Sequence, residues 1–67
     1  MTEKEFVEIL RNNYKRMLLT KKETAQELNI SIQTLDRMRK NGELKSTKVL
    51  GSIMFSLNEI ARFACDA

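Results

Sequence analysis

The chain has no histidine, no proline and no tryptophan, and only one cysteine and two glycines in 67 residues. A single cysteine excludes an intrachain disulfide, and without histidine a structural zinc site is not expected. The chain also lacks a Cys/His cluster, a paired-carboxylate pattern and a glycine-rich phosphate loop, so nothing in it indicates catalysis. The sequence therefore predicts a protein that is not an enzyme and takes no metal, cofactor or small-molecule substrate.

Long hydrophobic runs are also absent. No stretch approaches the ~20 apolar residues that span a bilayer. The N-terminal residues "MTEKE" lack the basic region and apolar stretch of a signal peptide. Together with the single cysteine, these absences predict a cytoplasmic protein without membrane association. Aliphatic residues are ample and periodic, so we expect residues 1–67 to fold as one domain.

The net charge of +3 is unevenly distributed. Residues 31–48 contain two acidic residues, Asp36 and Glu43, against five basic ones: Arg37, Arg39, Lys40, Lys45 and Lys48. A local basic excess suits a polyanion such as nucleic acid, although an excess of this size also occurs on ordinary solvated surfaces.

Capping signals predict where the helices begin. The pattern Thr/Ser-x-x-Glu is typical of a capping box, and it occurs at Thr2–Glu5, Thr20–Glu23 and Ser56–Glu59. Ser31 supplies a fourth cap without the glutamate. These signals predict helices at about 3–17, 21–28, 32–40 and 57–65. The first should bury one stripe of side chains, namely Phe6, Ile9, Leu10, Tyr14 and Met17.

The hydrophobic period changes after Gly42, which is placed to end the third helix in a left-handed conformation. The segment "KSTKVLGSIMFS" has β-branched and apolar residues on both sides of Leu50-Gly51. This pattern predicts two short strands around a glycine turn, a hairpin that we call the wing and place at residues 45–55. The expected fold is mainly α with a small β-hairpin wing and an extra N-terminal helix at residues 1–17, followed by a C-terminal helix at 56–65.

The second and third helices are separated by about three residues, a spacing typical of a helix-turn-helix, here at residues 20–41. Asn29 tolerates the positive φ that such a turn needs, and Ile30 can fill the angle between the helices. Ser31 caps a helix whose N-terminal amides can face a phosphate. In this motif the second helix enters the major groove of DNA.

A helical wheel places Gln33, Thr34, Arg37 and Lys40 opposite the apolar side of the third helix. Arginine pairs with guanine, glutamine with adenine, and the threonine methyl contacts thymine. We therefore predict double-stranded DNA as the partner, with a candidate interface of Ser31, Gln33, Thr34, Arg37, Lys40, Lys45 and Lys48. The plainer interpretation is a solvated polar face. One small module buries little area, so tight binding is expected to need a homodimer or cooperative neighbours on DNA.

Between about Met17 and Ala64 the chain contains, in order, "LLTKKETAQELNIS", "TLDRMRKNGEL" and "KVLGSIMFSLNEIARF". This series resembles the small DNA-binding proteins of the excisionase and AlpA type, whose winged helix-turn-helix is MerR-like. The resemblance implies a phage or mobile-element protein, either an excisionase-like architectural factor or a small transcriptional regulator. It places Ser31, Gln33, Thr34 and Arg37 at the groove and Lys48 at the base of the wing.

The sequence departs from that pattern in three places. Relatives usually carry arginines just after the glycine of the wing, where this chain has Ser52-Ile53-Met54. Arg39 occupies a position that is often apolar and is expected either to snorkel or to pair with Asp36 or Glu43. Asp36 itself brings a carboxylate close to the DNA. Asp36 and the wing without arginines motivate the alternative hypothesis, a protein–protein interaction module that keeps the scaffold but has lost DNA binding.

Overall fold

A computed structural model describes residues 2–66, so Met1 and Ala67, the ends of the predicted domain, lie outside it. The elements in chain order are α1 (Glu3–Tyr14), β1 (Leu18–Thr20), α2 (Lys21–Leu28), α3 (Ile32–Lys40), β2 (Thr47–Val49), β3 (Ser52–Ser56) and α4 (Leu57–Asp66). The mainly helical fold with a small hairpin confirms the predicted winged helix-turn-helix class. Within residues 2–66, no helix is both long enough and apolar enough to cross a membrane.

The strands form one antiparallel sheet in the order β1-β3-β2, with β3 in the centre. The wing consists of β2, the turn Leu50-Gly51 and β3, and β1 pairs with the other edge of β3. The prediction of a first helix extending to residue 17 is wrong, and it left β1 unpredicted. That helix ends at Tyr14, where Lys15 takes a left-handed conformation with φ of 58°. The chain then continues into β1, which pairs antiparallel with β3.

The core lies between the sheet and the helices. Phe55 and Leu19 are opposite each other on β3 and β1, and both are fully buried. Around them pack the buried side chains of Leu10, Ala25, Leu35, Leu44, Leu57 and Ile60. Two members of the predicted α1 stripe are not part of this core, since Ile9 and Met17 are about half exposed. The stripe fails at Met17 because the helix has already ended.

Local caps account for the predicted helix starts. Thr2 and Thr20 both form complete capping boxes with Glu5 and Glu23, which confirms two of the three predicted boxes. Replacing such a cap by alanine typically costs about 1 kcal/mol of stability.

A side-chain hydrogen bond connects α1 to α2. The Tyr14 hydroxyl, at the end of α1, donates to the Glu27 carboxylate at 2.5 Å.

Candidate nucleic-acid interface

The turn between α2 and α3 is built by Asn29, Ile30 and Ser31. Asn29 ends α2 with φ of 56°, the left-handed conformation expected for this position. The Ile30 amide donates to the Ala25 carbonyl at 3.0 Å, and the Ile30 side chain packs against the core. Ser31 then begins α3 by accepting a hydrogen bond from the Thr34 amide at 3.1 Å. These contacts fix the angle at which α3 leaves α2.

One face of α3 is buried and the opposite face is open. Leu35 is fully buried and Met38 nearly so. On the other side, Gln33, Arg37 and Lys40 are exposed and line a shallow groove together with Asp36 and Asn41. Among the described residues, neither Arg37 nor Lys40 forms an ion pair. Three of the seven predicted interface residues therefore lie together, with their polar groups available to a partner.

Ser31 and Thr34 are placed differently. The Ser31 hydroxyl donates to Thr34 Oγ1 at 2.9 Å while accepting from the Thr34 amide. Thr34, which the wheel placed on the outward strip, is half-buried. The Ser31 hydroxyl is therefore engaged in holding the helix start, and Thr34 presents only part of its side chain outward.

The carboxylate of Asp36, a feature unfavourable to DNA, is compensated within the protein. Lys21 Nζ lies 2.8 Å from Asp36 Oδ1, and Arg39 Nη2 lies 3.3 Å from the same oxygen. Hydrogen bonds from Lys21 and then Arg39 lower the pKa of Asp36, so the group stays ionised and paired. The predicted pairing of Arg39 with Asp36 is confirmed. Lys21 is a second partner of Asp36, and this ion pair joins the start of α2 to α3.

Lys45 lies in the loop between α3 and β2, and α4 holds this loop in place. The Lys45 amide donates to Glu59 Oε1 at 3.0 Å, and Arg62 donates to the Glu43 carbonyl at 3.0 Å. Glu59 was expected to complete a capping box with Ser56, but only half of that box forms. The Glu59 amide donates to Ser56 Oγ, whereas the carboxylate accepts from Lys45 and Arg62 instead.

Lys48 lies in the middle of β2 and is exposed. Its partner across the ladder is Ile53, so by strand alternation Lys48 shares a sheet face with Ile53 and Phe55. That is the face on which the helices pack, because Phe55 is at the centre of the core. The wing therefore carries its cation on the same side of the sheet as the helices.

A family model described as a helix-turn-helix domain matches residues 18–66, most of the chain. The chain belongs to this helix-turn-helix family. It is an excisionase-type small DNA-binding protein, and the family is a DNA-binding family rather than an enzyme family. No characterised protein and no solved structure matches the chain significantly. The match begins at β1, so α1 lies outside the matched residues.

Sequence reasoning missed two residues at this interface of the helix-turn-helix domain. Asn41 lines the groove beside Lys40, and its position just before the helix-ending Gly42 was the only signal for it. Lys21 enters through its ion pair with Asp36, which joins residues distant in sequence and is therefore not visible in a local pattern.

Replacing Glu59 with glutamine is expected to destabilise the helix-turn-helix domain by about 1–3 kcal/mol at pH 7, because a charged acceptor is lost. Hydrogen bonds from Arg62 and from the Lys45 amide lower the pKa of Glu59 below its ordinary value of 4.5. A lowered pKa in the folded state adds stability above the ordinary pKa and loses it as the pH falls. The difference between wild type and Glu59→Gln should therefore shrink below about pH 4.5. Urea unfolding at pH 7 and pH 3 measures it.

Glu8→Gln is the matched control, since the side chain of Glu8 is exposed on α1 and makes no hydrogen bond or ion pair with the described residues. Its effect should stay within about 0.5 kcal/mol at both pH values. Equal effects of the two substitutions would contradict the assigned role of Glu59.

Proposed function

We propose that this helix-turn-helix domain binds double-stranded DNA in a sequence-dependent manner, with α3 in the major groove and the wing against the adjacent backbone. The observation that carries the proposal is the outer face of α3. Gln33, Arg37 and Lys40 are exposed together and lack ion pairs among the described residues, while the opposite face of the same helix is buried. A helix held in this way presents hydrogen-bonding side chains without rearrangement.

Each interface residue is assigned a role from its chemistry. Arg37 contacts guanine by a bidentate pair and Gln33 contacts adenine, while the Thr34 methyl meets thymine. Lys40, Lys45 and Lys48 contact phosphates, which position the protein without specifying sequence. Ser31 acts through the helix start that it caps, whose free amides face a phosphate.

The biological role that we propose is that of an excisionase-like architectural factor or a small transcriptional regulator of phage or mobile-element type, acting in the cytoplasm. One module of this size buries modest area on DNA. We therefore propose that it binds as a homodimer or as cooperative neighbours on the duplex. The family membership supports DNA as the partner.

The alternative, a protein–protein interaction module, rested on Asp36 and on the uncharged residues Ser52-Ile53-Met54 of the wing. Asp36 is paired with two cations, which compensate its negative charge. Ile53 and Met54 are half-buried, and Ile53 packs against the core, so these two residues do not form an exposed apolar surface on the wing. Both observations favour DNA over a protein partner.

Replacing Arg37 with alanine should weaken binding to the preferred site by about 1–3 kcal/mol and relax the sequence preference. The reason is that a bidentate contact to one base is lost. Selecting bound duplexes from a random pool, once with wild type and once with the variant, measures both affinity and preference. Loss of preference at one or two base positions is the expected result.

Arg11→Ala is the charge-matched control, because Arg11 is exposed on α1 and outside the proposed interface. It should leave the selected sequence unchanged. If Arg37→Ala weakens every duplex equally, Arg37 is a phosphate contact and the assignment to guanine is wrong. If wild type enriches no sequence, the proposed sequence-dependent binding is wrong.

A further inference from the structure

The tip of the wing is a leucine in an unfavourable place. Leu50 and Gly51 form the two-residue turn between Val49 and Ser52, with φ of 50° and 84°. Two positive φ values in succession define a type I′ turn, in which Asn, Asp or Gly is preferred at the first position. The left-handed conformation is disfavoured for a side chain such as leucine. Leu50 therefore occupies a backbone conformation that is unfavourable for leucine.

Leu50 is also fully exposed, at 101%, whereas the other exposed large apolar side chains of the described residues are 46–48% exposed. Single exposed apolar residues are common and need no explanation. Here the exposure of Leu50 coincides with a strained backbone, and neither feature stabilises the protein in the absence of a partner. A residue unfavourable on both counts is an outlier from which a role in binding can be inferred.

The charge around Leu50 indicates what the tip meets. From Leu44 through Ser56 the chain has no acidic residue, while Lys45 and Lys48 supply two cations and Thr47 and Ser52 supply hydroxyls. Lys48 has no ion pair among residues 2–66. An apolar tip whose charged neighbours in the wing are all cations complements a polyanion that has an apolar interior, which is a description of duplex DNA.

We propose that Leu50 is an apolar wedge that enters the minor groove, partly unstacks one base step and bends the duplex. Apolar side chains inserted in this way kink DNA by about 20–90°. This inference rests on the proposed DNA binding and extends it. It gives the wing, which lacks arginine beyond its turn, a contact other than the attraction of cations to phosphates. It also makes the domain an agent of DNA bending.

The test compares Leu50→Asn with Leu50→Met on a duplex enriched by wild type. Asparagine suits the left-handed turn but removes the apolar reach, and methionine keeps that reach. We expect Leu50→Asn to bind about tenfold more weakly and to lose at least half of the bend. Leu50→Met should retain both. Energy transfer between dyes at the duplex ends measures the bend, and 2-aminopurine fluorescence reports unstacking at the base step.

Thermal unfolding separates this effect from damage to the fold. The midpoint for Leu50→Asn should equal or exceed that of wild type, since the turn is relieved of strain. If Leu50→Asn binds and bends the duplex as wild type does, the proposed wedge is wrong, although the proposed DNA binding is unaffected. The exposed leucine would then be a candidate contact for a protein partner. A straight duplex in the wild-type complex overturns the wedge equally. Failure of wild type to enrich any duplex instead overturns the proposed function.

Discussion

Replacing Phe55 with alanine should remove about 3–5 kcal/mol from the free energy of unfolding. Phe55 is fully buried at the centre of β3, and it faces Leu19 across the ladder to β1. Truncation removes a large buried surface and leaves a cavity between sheet and helices. A domain of this size has a total stability of roughly 3–10 kcal/mol. The loss is therefore a large fraction of the total stability, and the midpoint of thermal unfolding should fall well below that of wild type.

Circular dichroism during heating measures the loss, at about 4–8 °C of midpoint for each kcal/mol. Phe6→Ala is the matched control, because Phe6 is only half-buried on α1 and should lose a smaller part of this free energy. Phe55→Leu should keep the fold with a penalty of about 1.5 kcal/mol. Equal midpoints for Phe55→Ala and Phe6→Ala would show that the core is not centred on β3.

Local signals account for the parts of the fold that the sequence predicts well. The boxes at Thr2 and Thr20, the left-handed Asn29 and the helix-ending Gly42 each involve residues within one turn of each other. Such interactions depend on residue type and spacing, and both are visible in the sequence. The boundaries of α2 and α3, and with them the outward face of Gln33 and Arg37, follow from these signals alone.

The third strand shows where local reasoning stops. β1 has three residues and no alternating pattern, and it continues an apolar period that fits a helix. It becomes a strand because Leu18 pairs with Ser56 and the Leu57 amide donates to the Met17 carbonyl at 3.0 Å. These partners are near the other end of the chain. No window of sequence around β1 contains the information.

The candidate interface divides in the same way. Its base-contacting residues share one helix, so the wheel brings Gln33, Arg37 and Lys40 together without tertiary information. The supports of the interface are tertiary: Lys21 reaches Asp36 from α2, and Glu59 reaches the Lys45 amide from α4. A local pattern assigned Glu59 to Ser56, because a capping box considers only the residues of its own helix.

Raising the salt concentration from 50 to 200 mM should weaken DNA binding about 100-fold, a change of about 3 kcal/mol. The proposed interface contains four exposed cations without ion pairs among the described residues: Arg37, Lys40, Lys45 and Lys48. Each phosphate neutralised releases condensed counterions from the duplex. About four such contacts predict that the logarithm of affinity falls with that of salt with a slope of roughly −3 to −4.

Fluorescence anisotropy with a labelled duplex gives the slope, and circular dichroism at each salt concentration verifies that the domain stays folded. Lys48→Ala should make the slope shallower by about one unit, because one phosphate contact is removed. Lys4→Ala removes the same charge from the exposed surface of α1 and should leave the slope unchanged. A flat response in wild type would rule out binding through phosphates. Equal slopes for the two variants would show that Lys48 makes no phosphate contact.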